Sequence, residues 1–155
     1  MARIVALLDS MWGWGGYNEA GEEAPRYFRI NPDNLSGRRL YRLCGDHELL
    51  VTNSCRMVQR HANAHGEPDI EWVRANLIKT SAEMDLLLVC GRIARQTFEI
   101  AASVSSLEGV ADGRAYLGAG HVFSYYVIDH PAARRWSNEK MEITKTHIER
   151  LLCQN

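Results

Sequence analysis

Three polar residues stand at the ends of apolar runs. Asp9 closes IVALL, Asn53 closes ELLVT, and His130 follows VFSYYVI one residue later, after Asp129. A carboxylate in such a place can position a water or steady a developing cation. A side-chain amide can read the edge of a pyrimidine, because it offers two donors and two acceptor lone pairs. A neutral imidazole can donate one hydrogen bond to an oxygen that gains charge during reaction. Each also has a plainer reading. Asp9 can cap a turn or helix, and Asn53 can close its strand with an Asx-turn. A lone histidine is more often structural, but Pro131 fixes the backbone beside His130 and two arginines follow.

The stretch VIDHPAARRWS, 127–137, carries that arrangement. Arg134 and Arg135 can hold phosphates, and Trp136 can wedge into a base stack. Alternatively, the arginines open a solvated helix and Trp136 packs on the sheet. Phe28, in RYFRINP, can stack on a planar ligand or anchor its loop. Ser10 and Trp12 follow Asp9 and are candidate walls of the same pocket. WGWGG, 12–16, is too glycine-rich for a core strand, yet it lacks the spacing of a dinucleotide or P-loop motif.

These residues need elements to position them. The runs 4–8, 48–52, 85–90 and 122–128 are continuous and apolar, as strands buried on both faces are. Helical spacing lies between them: Ile70, Val73 and Leu77 after Pro68-Asp69; Ile93, Phe98 and Ala101 after Gly91; Met141, Ile148 and Leu151 near the end. Segment 38–44 reads as another short helix. The order β, long loop, α, β, α, β, α, β, α predicts an α/β fold: a three-layer α/β/α sandwich around a short parallel sheet of about four strands. Asp9, Asn53 and His130 then meet at the carboxyl edge of the sheet, where open α/β folds bind ligands. Segment 9–37 joins them there as a long, functional loop.

The 155 residues predict one domain, 1–155. The formal net charge of −1 gives no global basic signature, so any anion-binding surface must be local. Cys44, Cys55, Cys90 and Cys153 form no C-x-x-C pair, which argues against a zinc or iron–sulfur site and fits a reducing cytoplasm. No run approaches the roughly 20 apolar residues of a membrane span. No G-x-S-x-G elbow supports a serine hydrolase, and the histidines lack metal-binding spacing.

The ordered motifs LLVTNSCRM, EPDIEWVRANL, MDLLLVCGRIARQTF and YYVIDHPAARRWS resemble the uracil-DNA glycosylase superfamily across about residues 38–152. The resemblance implies the same three-layer fold and an enzyme that flips a base out of DNA and cleaves its N-glycosidic bond. It places Asn53 at the base-reading position, His130 where the departing pyrimidine anion is stabilised, and Arg134 to Trp136 on the loop that enters the duplex. Asp9 then steadies the sugar cation or orients water. The first motif departs: Leu7-Leu8-Asp9-Ser10 keeps the acid but lacks the family's glycine and proline. The expectation is a monofunctional, monomeric DNA glycosylase for uracil or another modified pyrimidine, cytoplasmic or nucleoid-associated. It needs no cofactor and no metal. A non-catalytic base or nucleotide sensor, and an enzyme acting on free nucleosides or nucleotides, are the alternatives.

Overall fold

The computed structural model describes residues 1–10, 21–59, 66–117 and 122–154. The elements are β1 (Arg3–Leu8), α1 (Leu35–Cys44), β2 (Glu48–Asn53), α2 (Ile70–Thr80), β3 (Leu86–Cys90), α3 (Gly91–Ala101), β4 (Asp112–Tyr116), β5 (Val122–Ile128) and α4 (Asn138–Cys153). They form one five-stranded sheet in the order β2-β1-β3-β5-β4. β2, β1, β3 and β5 run parallel, while β4 pairs antiparallel with β5 at the edge.

Strand alternation sorts the apolar residues into two cores. Ile4, Ala6, Leu49, Val51, Leu86 and Leu88 face α1 and α4. Val5, Leu7, Leu87, Val89, Phe123 and Tyr125 face α2 and α3. β3 is buried along its whole length, because helices cover both its faces. The expected three-layer α/β/α architecture is therefore present. The antiparallel β4 was not expected: DGRAY has little apolar content, and only Ala115 is buried.

Helix starts follow local capping chemistry. Asn34, Asp69 and Ser137 cap α1, α2 and α4 by accepting from Gly37, Trp72 and Lys140 backbone N–H groups. The chain before α1 is tied to the sheet. Phe28 and Val51 exchange backbone hydrogen bonds of 3.0 and 2.9 Å, and the Tyr41 hydroxyl donates to the Ile30 carbonyl at 2.9 Å.

The chain moves from β1 to β2, crosses back over β1 to β3, and continues to β5. The direction of winding thus reverses between β1 and β3, which opens a crevice at their carboxyl ends. Asp9 and Gly91 are the first residues past those ends. Among the described residues, no helix is long and apolar enough to cross a membrane.

Gly37 fixes α1 against the preceding loop. A Cβ there would sit 1.9 Å from the Asn31 carbonyl oxygen, a backbone atom that cannot swing away. Alanine inside a helix normally gains stability over glycine. Here Gly37→Ala is expected to lose about 2 kcal/mol in urea unfolding, because the loop must be displaced.

Candidate functional site at the carboxyl edge of the sheet

The site begins with register. Leu8 pairs with Asn53, and Cys90 pairs with Ile128. Asn53 thus ends its strand beside Leu8, while Asp9, Gly91 and Asp129 form the next row outward. His130 follows and folds back over Gly91. A Cβ on Gly91 would lie 3.1 Å from the His130 Cβ, and the Gly91 φ is +89°. A side chain at 91 is therefore opposed twice, by backbone conformation and by the imidazole.

Asp9 continues the Val5 and Leu7 row toward α3, and its carboxylate accepts the Ala94 backbone N–H. Its Oδ1 is buried with no hydrogen-bond partner among the described residues. Burial raises the Asp9 pKa above the ordinary 3.8, while His130, the Ala94 N–H and Arg92 pull it down. His130 moves the other way. Burial lowers its pKa below 6.5, and the Asp9 charge opposes the shift. The two groups thus act on each other electrostatically, and Gly91 ends the strand that lies between theirs.

The His130 ring has a defined role for each nitrogen. Nδ1 accepts from the Ala132 N–H at 3.0 Å, which leaves the proton of the neutral ring on Nε2. The loop itself is clamped. The His130 carbonyl accepts from the Ala133 N–H and the Trp136 Nε1–H, each at 2.9 Å. Arg39 on α1 donates to the Pro131 and Ala133 carbonyls at 2.7 and 2.9 Å.

Asn53 is 1% exposed, and its amide nitrogen has no partner among the described residues. By alternation it continues the Leu49 and Val51 row, toward α1 and α4. Phe28, bridged to Val51, packs partly buried on the same face. An unpaired buried amide costs about 1–3 kcal/mol, and by alternation this one lies on the opposite face of the sheet from Asp9. The neighbouring Thr52 hydroxyl is also orphaned. So are the Trp72 indole N–H and the Asn76 amide on α2, so an orphan alone does not mark a site.

Trp136 requires a correction. It is 9% exposed, packed in the α1–α4 core with its indole N–H on the His130 carbonyl, and Lys140 Nζ lies 4.9 Å from its ring centroid. A ring held this way positions the histidine loop and is not free to enter a base stack. Arg134 and Arg135 are exposed, as phosphate contacts would require. Ser10 is partly exposed beside Asp9. Trp12 and the WGWGG segment lie outside the described residues. Arg39 was not singled out from sequence; the only signal was the Arg-Arg pair at 38–39.

A cleft of about 360 Å³ opens beside this row, lined by Gly91, Arg92, Arg95, Asp129 and Lys140 among others. Among the described residues, no three His, Cys, Asp or Glu side chains converge as a metal ion would need. The buried Cys44, Cys55 and Cys90 are poor nucleophiles: burial pushes the Cys44 thiol up to about 12, the Cys55 thiol up to about 11, and raises that of Cys90 well above its ordinary value. No protein-family model matches this chain, and no curated protein matches it.

Two outcomes are expected. Asp9 ionises with more difficulty in the folded chain than in the unfolded one. Its contribution to stability is present below pH 3.8 and is lost as pH rises through its raised folded pKa. The Tm of Asp9→Asn relative to wild type is thus expected to improve as pH rises through that window, in paired thermal melts. Gly91→Ala is expected to cost about 1–2 kcal/mol through its positive φ and to displace His130. The displacement would be read as a shifted imidazole resonance in NMR spectra.

Proposed function

We propose that this chain is a monofunctional DNA glycosylase of the uracil-DNA glycosylase type, releasing uracil or another modified pyrimidine. The observation that carries the reading is the electrostatic coupling of Asp9 and His130 at the carboxyl edge of the sheet, where Asn53 ends the strand next to that of Asp9. In this scheme the flipped base lies between Phe28 and the strand ends. The Asn53 Nδ2–H donates to a ring carbonyl of the base. The glycosidic bond breaks, and its electron pair leaves with the base. The His130 Nε2–H donates to the base oxygen on which that charge collects. The Asp9 carboxylate faces the opposite charge, on the sugar, and guides a water to the anomeric carbon. The water's proton leaves to solvent or to Asp9.

The electrostatics favour this division of labour. The lowered His130 pKa favours the neutral ring, whose Nδ1 accepts the Ala132 N–H while its Nε2–H is left to donate. Arg92 and the Ala94 N–H help keep Asp9 ionised against its burial. The flipping cost, a few kcal/mol, would be met by contacts to the strand.

One observation favours a second reading, a sensor that binds a base without cleaving it. Asp9 already serves α3 by accepting the Ala94 N–H, a role that needs no chemistry. The two readings separate in an assay of free base released from DNA containing uracil and a panel of modified pyrimidines. Release is expected from wild type. Asp9→Ala and His130→Ala are each expected to lower it roughly a hundredfold, about 3 kcal/mol. Asn53→Asp is expected to change base preference more than rate, since it replaces donors with acceptors. Tight binding with no release from any substrate would make the chain a sensor.

A further inference from the structure

The cleft beside Gly91 is more basic than the rest of the site. Arg92 and Arg95 stand three residues apart on α3 and line it together, with Tyr126, Trp136, Thr144 and the Asp129–Lys140 pair on the other walls. Lys140 and Asp129 are ion-paired and largely cancel. Among the described residues neither arginine makes a hydrogen bond or a salt bridge, although the Arg92 charge also acts on Asp9. The contrast with a second cleft, between α1 and α4, is informative. Its Arg38, Arg39 and Arg42 all bind protein groups: Asp33, Pro131 and Ala133 carbonyls, the Asn138 side chain and Glu142. Those guanidinium groups are committed to the fold. Those of Arg92 and Arg95 are left to face the cleft.

We propose that this cleft is a phosphate seat, in which Arg92 and Arg95 grip a phosphodiester of the strand whose base enters the Asp9–Asn53–His130 site. The inference rests on the reading of that site as a pyrimidine pocket. Gly91 belongs to both: it lines the cleft, and its bare α-carbon abuts His130. A phosphate in the cleft is therefore next to the base position. Guanidinium suits the task because its planar fork matches two phosphate oxygens at once. The volume of about 360 Å³ leaves room for the sugar as well as the phosphate. The partner is then a phosphate ester, from a DNA strand in preference to a free nucleotide. The reason is that Arg134 and Arg135, exposed in the chain just after the His130 loop, offer further phosphate contacts.

Binding, not turnover, tests this. Anisotropy of a labelled single-stranded oligonucleotide carrying one 2′-fluoro-deoxyuridine, which resists cleavage, is measured against salt. Calorimetry with uracil, deoxyuridine and its 5′-monophosphate runs in parallel. The double variant Arg92→Gln/Arg95→Gln is expected to bind the oligonucleotide at least tenfold more weakly. Its log K against log salt slope is expected to fall by about 0.7 for each phosphate released. The single variant Arg95→Gln, which leaves Arg92 beside Asp9, is expected to bind uracil itself as wild type does. Arg95→Lys is expected to keep the slope but lose part of the affinity, since it keeps charge and loses the fork. If wild type binds uracil while the double variant retains full oligonucleotide affinity and slope, the seat is overturned and the base site stands. If wild type binds neither uracil nor the oligonucleotide, both fall. If the monophosphate outbinds deoxyuridine only in wild type and the oligonucleotide gains nothing more, the seat stands and its ligand is a free nucleotide.

Discussion

The close approach of His130 to Gly91 is the contact on which the site depends. An imidazole cannot fold back over a sheet end unless the neighbouring strand presents a residue with nothing on its α-carbon. Gly91 meets that demand, and its positive φ also turns β3 directly into α3. The same turn puts the Ala94 N–H within reach of Asp9. One glycine thus lets the imidazole from β5 approach β3, the strand that lies between it and the acid of β1. Any larger residue would press on His130.

The clamps around His130 show how the cost of that placement is met. A loop bent back over a strand end leaves its carbonyls pointing away from any ladder partner. Trp136 and Arg39 supply donors to three of them, in His130, Pro131 and Ala133. Both donors come from the α1–α4 layer, so the histidine is fixed by the helical layer on the opposite face from α3. Asp9 is held from the α3 side. The two groups whose charges would oppose each other in the proposed reaction are therefore set by separate layers of the sandwich.

What was legible in the sequence follows from where burial is complete. β3 and the inner halves of β1 and β5 have helices on both faces, so their residues must be apolar without alternation. Runs such as LLLVC announce themselves. Asp9, Asn53 and His130 were conspicuous for the complementary reason: each is the first polar residue, or nearly so, after such a run. β4 was hidden because an edge strand with one buried side chain leaves no apolar pattern. Trp136 was ambiguous because a tryptophan after two arginines serves equally as a wedge or as core. Only the carbonyl of His130, a backbone atom, decides its direction. Arg39 and the Arg92–Arg95 pair were invisible for a similar reason. A helix-surface arginine looks the same in sequence whether it faces water, a loop carbonyl or a cleft.

The acid position shows how a plain structural role and a chemical one can occupy the same side chain. A carboxylate that accepts a helix N–H gains from that bond and from the helix end it serves. Among the described residues the Asp9 Oδ1 is buried without a hydrogen-bond partner. A capping group that served the fold alone would be cheaper with its second oxygen in water, since burial raises its pKa and penalises the charge. Sheltering that oxygen at the crevice where the winding reverses makes the carboxylate less stable and more responsive to a nearby positive charge. The capping bond fixes its direction while the orphaned oxygen keeps its field. In the proposed reaction that is what a developing sugar cation requires, and it does not depend on the glycine and proline that this chain lacks after β1.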